Sequence, residues 1–142
     1  MGDELIRCAA LAVRVACQRM TPCHLKALHD SVEQACGLSA CFRWDRKATA
    51  HAEIVNLLSD AAGDPVVALL ARDVPGHMYD LMLTAGPAAD GIIASSRHRL
   101  LELIRAGDAD GAEREMDQHL SRLSRMRRPC RGSAQARRDI AV

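Results

Sequence analysis

A chain of 142 residues is one domain's worth and long enough to bury a proper core. Only Phe42, Trp44 and Tyr79 are aromatic, while Ala and Leu are abundant, which favours helix over sheet because those two residues lose least on entering a helix. No apolar run approaches the ~20 residues needed to cross a bilayer, and the acidic start Met1-Gly2-Asp3-Glu4 fits neither a secretory signal nor a myristoylation motif. The expectation is a cytoplasmic protein with no membrane partner. The formal net charge of +1 is unevenly placed: residues 1–120 carry 12 basic and 17 acidic side chains, and residues 121–142 carry 7 arginines against one aspartate. That basic end reads as a solvated tail, with an arm for nucleic acid or an acidic partner as the alternative.

In chain order, the first helix is expected from about Asp3 to Met20. Thr21-Pro22 supplies an N-cap with proline at the first helical position, opening a second helix to Cys36, with Gly37 as its stop. Ser39 is expected to cap a third helix that runs to Ala62 and ends at Gly63. Asp64-Pro65 repeats the cap-plus-proline pattern for a fourth helix to Thr84, kinked or split at Val74-Pro75-Gly76. Gly86-Pro87 precedes a fifth helix over Ala88 to Ala106. Asp108 caps a sixth, which fades near Met126. Short connections imply antiparallel neighbours. The fold class is therefore all-α, an antiparallel bundle of about six helices, with a helical domain over 1–126 and a disordered Arg-rich tail over 127–142.

The densest information lies between Arg97 and His119. Ile93, Leu100, Leu101 and Ile104 recur at the three-four spacing of one helix face, and Arg97 points into that stripe. Across the Gly107-Asp108 break, Ala112, Met116, His119 and Leu123 share a face, which turns His119 inward. An arginine on an inner face needs an anion, because a buried unpaired charge is costly. Its fork suits a carboxylate in two-point contact. The partner is either an internal Asp or Glu or a bound acid.

None of the cysteines, Cys8, Cys17, Cys23, Cys36, Cys41 and Cys130, forms a C-x-x-C pair or a zinc-finger spacing with histidine, and reduced thiols are expected. No Gly-rich phosphate loop is present, and Ser95, Ser96 and Thr84 have no partner base. Nothing positive supports an enzyme. His24, His29 and His77 belong to no constellation.

Three segments in order resemble one family. R-H-R-L-L-E-L-I-R-A-G-D followed by A-E-R-E-M-D-Q-H-L, the stretch A-C-Q-R-M-T-P-C-H-L-K-A-L within Leu11 to Leu28, and Ala61-Ala62-Gly63-Asp64-Pro65-Val66 are together similar to the FCD domain. That is the all-helical, effector-binding domain of the FadR subfamily of GntR-type bacterial transcription regulators. The resemblance covers about residues 5 to 125. It implies transcription regulation in response to a small acidic metabolite, in a homodimer, with DNA bound through a winged helix-turn-helix. No basic recognition-helix pattern stands before the first helix here, so the chain is expected to lack that reading head and to bind no operator by itself. The alternative is a degenerate helical dimerisation or interaction module without ligand.

Many members of that family hold a divalent metal through an aspartate, a histidine four residues later, and one histidine from each of the last two helices. On the register set by Gly63-Asp64-Pro65 and by residues 100–104, the aspartate falls on His51, the first histidine on Val55, the second on Arg97 and the third on His119. The resemblance thus leaves only His51 and His119 as metal ligands for zinc or nickel. Sliding the third helix by one turn puts Lys47 in the aspartate's place, which is no better. No cofactor is expected. The ligand site implied is His51, Arg97 and His119 around one interior cavity; for each histidine a structurally satisfied core residue is the other reading.

Overall fold

A computed structural model describes the backbone of residues 2–141 and the side chains of residues 2–126, and over them the chain is all-α. Seven α-helices follow in order: α1 (Gly2–Arg19), α2 (Pro22–Gly37), α3 (Trp44–Ala62), α4 (Pro65–Leu70), α5 (Val74–Ala85), α6 (Asp90–Arg105) and α7 (Ala109–Ala141), with a 3-10 turn at Pro87–Ala89 before α6. The disordered tail expected over 127–142 lies outside the residues whose side chains are described.

Local chemistry sets most boundaries. The Thr21 side chain accepts from His24 N, and Asp64 accepts from Val66 N and Val67 N, each with proline in the first turn that follows. Gly63 ends α3 in the left-handed region at φ 60°, where glycine has no Cβ to clash. One expectation needs correction. Ser39 does not cap α3; its Oγ accepts from Cys41 N at 3.3 Å in the preceding loop. The helix starts at Trp44, whose indole Nε1 donates to the Met82 carbonyl at 2.7 Å and so pins the α3 start to α5. The kink or split expected in the fourth helix is a split into α4 and α5, which gives seven α-helices in place of about six. The break falls at residues 71–73, just ahead of the expected point, and leaves Pro75 in the first turn of α5, where a missing N–H is harmless.

The centre of the bundle is α1, which packs against both α3 and α7. Its buried face is Ile6, Ala9, Ala10, Ala12, Val13, Ala16 and Cys17, mostly alanine, so neighbouring helices can approach closely. Arg14 fixes the α1–α7 contact by pairing with Asp110 and, at 2.6 Å, with Glu113. Helix α3 packs on α1, α2 and α5, whereas α6 packs on α2 and α7.

Candidate functional site

A tight hairpin joins α6 to α7 and sets the level of the site. Gly107 (φ 72°) donates to the Ile104 carbonyl at 3.0 Å and Asp108 N to the Leu103 carbonyl at 2.9 Å, the paired bonds that close a helix through a left-handed glycine. Asp108 then accepts from Gly111 N at 2.9 Å and opens α7. Arg97 lies eleven residues before Asp108 and His119 eleven after it. At 1.5 Å per residue both are ~16 Å from the turn, so the hairpin brings them to one height on adjacent helices.

Both are interior, as is His51 on α3: their exposures are 1% for Arg97, 2% for His119 and 0% for His51. The Arg97 charge acts on both imidazoles, and His51 acts on His119. Among the described residues, neither ring nitrogen of His51 or His119 has a hydrogen-bond partner, nor do Nε and Nη1 of Arg97. The bond given for Arg97 runs from Nη2 to Met78 Sδ on α5 at 3.1 Å, and sulfur is a weak acceptor. The sequence offered an internal carboxylate as one partner for Arg97; no ion pair to Arg97 is found among the described residues. The carboxylate of Glu115 on α7 acts on the Arg97 charge but is bonded elsewhere, accepting from Ser96 Oγ at 2.8 Å and Arg99 Nη1 at 2.9 Å.

Electrostatics fix the protonation states. Burial, then the Arg97 and Lys47 cations, push His51 down to about 3. Burial, then Arg97, His51 and Arg122, hold His119 well below the ordinary imidazole range. Both rings are neutral at physiological pH, each with one N–H and one bare nitrogen. Burial pushes Arg97 down to about 10, against the pull of Cys36 and Glu115, so the guanidinium keeps its charge. Each unmet buried polar group costs about 1–3 kcal/mol, more for a charge. An anion presented to Arg97 would remove the largest of these penalties.

Lys47, one turn before His51, is a site residue the sequence reading considered only as a stand-in for the family aspartate. It is 2% exposed, ion-paired to Asp90 at 2.8 Å, and donates to the carbonyls of Leu38 at 2.7 Å and Cys36 at 3.1 Å. His98 faces away, half-exposed, 3.4 Å from Glu33. Val55 is buried and offers no ligand atom. Among the described residues no group of three or more His, Cys, Asp or Glu side chains is arranged to hold a metal ion. Two surface clefts, about 440 Å³ along α7 at Asp110 to Gln118 and about 480 Å³ between α1 and α5, are lined by other residues than the interior three.

The model of the FCD domain family matches residues 9–122. The chain belongs to the FCD family. An FCD domain is the C-terminal effector-binding domain of GntR-family regulators, a regulatory ligand-binding module and not a catalytic one. The match covers His51, Arg97 and His119. No curated protein and no solved structure matches the chain. No described helix of this FCD domain is long and apolar enough to cross a membrane.

Proposed function

We propose that this FCD domain senses a small carboxylate metabolite, held by Arg97 with His51 and His119 beside it, and works in the cytoplasm as the homodimeric sensing part of a GntR-type regulator whose DNA contacts come from a winged-helix segment. The observation that carries the reading is Arg97: a fully buried guanidinium, still charged, with two nitrogens lacking any partner among the described residues. Direct ion pairing replaces the metal that relatives use, since Val55 and Arg97 stand where two ligands are required. The domain has no catalytic role in this reading. Zinc or nickel on His51 and His119 is the competing arrangement.

Thermal unfolding of the purified chain against a panel of small organic acids tests this. An acid present at a hundred times its Kd stabilises the native state by about 2.7 kcal/mol, a rise that Arg97→Met should abolish. A flat response across the panel, or one that survives Arg97→Met, contradicts the proposal. Stoichiometric zinc or nickel found by elemental analysis, and lost in the His51→Leu variant, would favour the metal arrangement instead.

A further inference from the structure

Helix α7 carries opposite charges at the two ends of one face. On the reading of the domain as a homodimer, we propose that α7 pairs antiparallel with α7 of a second copy about Ser121, so that Asp110, Glu113 and Asp117 of each chain meet Arg131, Arg128 and Arg125 of the other.

Helix register sets the stripe. Asp110, Glu113, Asp117, Ser121, Arg125, Arg128 and Arg131 follow at steps of three or four residues and stay within about a third of the circumference of α7. That band lies opposite the face of Met116, His119 and Leu123, which are buried in the core. Asp110, Asp117 and Arg125 are exposed, and Glu113 is partly so. The charges mirror about one point. Asp117 and Arg125 lie four residues either side of Ser121, Glu113 and Arg128 eight before and seven after, Asp110 and Arg131 eleven before and ten after. Two such helices in parallel register would set like charges together, whereas the antiparallel arrangement matches all three pairs twice. Pro129 stands off the band and leaves the Arg125 carbonyl without a helical donor, so the pairs nearest Ser121 carry the register.

Among the described residues the acidic half is only partly matched. A cleft of about 440 Å³ runs along it, lined by Asp110, Glu113, Arg114, Asp117 and Gln118, three carboxylates against one guanidinium. Asp110 and Glu113 share the single cation of Arg14, and the bond given for Asp117 comes from Ser121 Oγ at 3.4 Å. The arginines of the same helix cannot reach back, since Asp117 and Arg125 are eight residues, ~12 Å, apart along it. A second copy brings them into reach without unwinding α7. A nucleic-acid strand laid along this face would meet the three carboxylates, which favours a partner carrying both signs. Exposed ion pairs are individually weak and screened by salt, so the pairing orients two copies and yields as salt rises.

Sedimentation of the full chain, freed of nucleic acid, tests this with two charge reversals that leave Glu113 on Arg14. They are Arg125→Glu/Arg131→Glu and Asp110→Lys/Asp117→Lys, each checked for helical content by circular dichroism. Either reversal alone should weaken self-association about tenfold or more, the combined worth of four exposed pairs. An equimolar mixture of the two should associate as tightly as the unaltered chain, since opposite charges then face each other at every position. Salt at about 1 M, where the Debye length is about 3 Å, should abolish that recovery. The arginine reversal alters no residue of the described core and decides alone if the other variant does not fold. A dimer unmoved by either reversal keeps the homodimeric reading and overturns the α7 pairing, as does a mixture that fails to recover. A monomer under all conditions removes both. Assembly that needs added duplex DNA would assign the arginines to a polyanion and overturn the proposal as well.

Discussion

Lys47 and Arg97 are both cations removed from water, at 2% and 1% exposure, in neighbouring parts of one core. Lys47 is matched by the Asp90 carboxylate and by two carbonyls at the end of α2. Arg97 has a methionine sulfur and two nitrogens without partners among the described residues. A buried charge on a long flexible stem is tolerated where the fold itself supplies the counter-charge. Lys47 therefore reads as a fastener that holds the α2 end and the start of α6 onto α3. On the proposed function, Arg97 is a receptor whose counter-charge comes from outside the chain, so that one buried cation serves architecture and the other recognition.

The sharpest way to break that comparison is Lys47→Met. It should destabilise the chain by about 3 kcal/mol in urea unfolding, because Asp90 loses its counter-charge and the two carbonyls their donor. Asp90 is about a third exposed and can recover some hydration, which places the cost at the low end for a buried pair. A loss below about 1 kcal/mol would mean that Lys47 is no fastener.

The histidines give the next effect. Both are held neutral by burial and neighbouring cations, so their folded-state values lie below those of the unfolded chain. A depressed histidine leaves the unfolded state binding more protons, so stability falls as pH drops below about 6.5 and continues to fall toward about 3 for His51. From pH 8 to pH 5.5 the two should cost about 2–3 kcal/mol together. The double variant His51→Leu/His119→Leu should flatten that dependence; an unchanged pH profile would show that the rings are not held neutral. The smallest effect is Asp64→Ala, which removes the α4 cap and should cost about 1 kcal/mol without touching ligand affinity.

How much of this was legible without coordinates differs between the same two regions. The periodicity of Ile93, Leu100, Leu101 and Ile104 placed Arg97 inside, and that of Ala112, Met116 and Leu123 placed His119 inside; all are buried. A helical stripe reports which face turns inward, and Gly107-Asp108 reports where the chain reverses, so the α6–α7 half could be read from one dimension. Lys47 could not. Its partners are carbonyls exposed at a helix end and a carboxylate forty-three residues away, and no local pattern encodes such contacts. The α3 start was misplaced for the same reason. Ser39 is a good capping residue, but the bond from the Trp44 indole to Met82 and the Arg43–Asp45 ion pair at 3.1 Å accompany a start four residues later. The split between α4 and α5 was signalled by Pro75, although the break itself lies just before it.

The measurement that tests the central claim most directly is the unfolding free energy of Arg97→Met, with and without the acid that stabilises the unaltered chain. Replacing an unpaired buried cation with an apolar side chain of similar length should leave the ligand-free domain as stable as before, or more stable by about 1–2 kcal/mol, and should cancel the stabilisation by the acid. A loss of about 3 kcal/mol in the absence of ligand, matching that expected for Lys47→Met, would show that Arg97 is already partnered within the fold and that no counter-charge is awaited from outside.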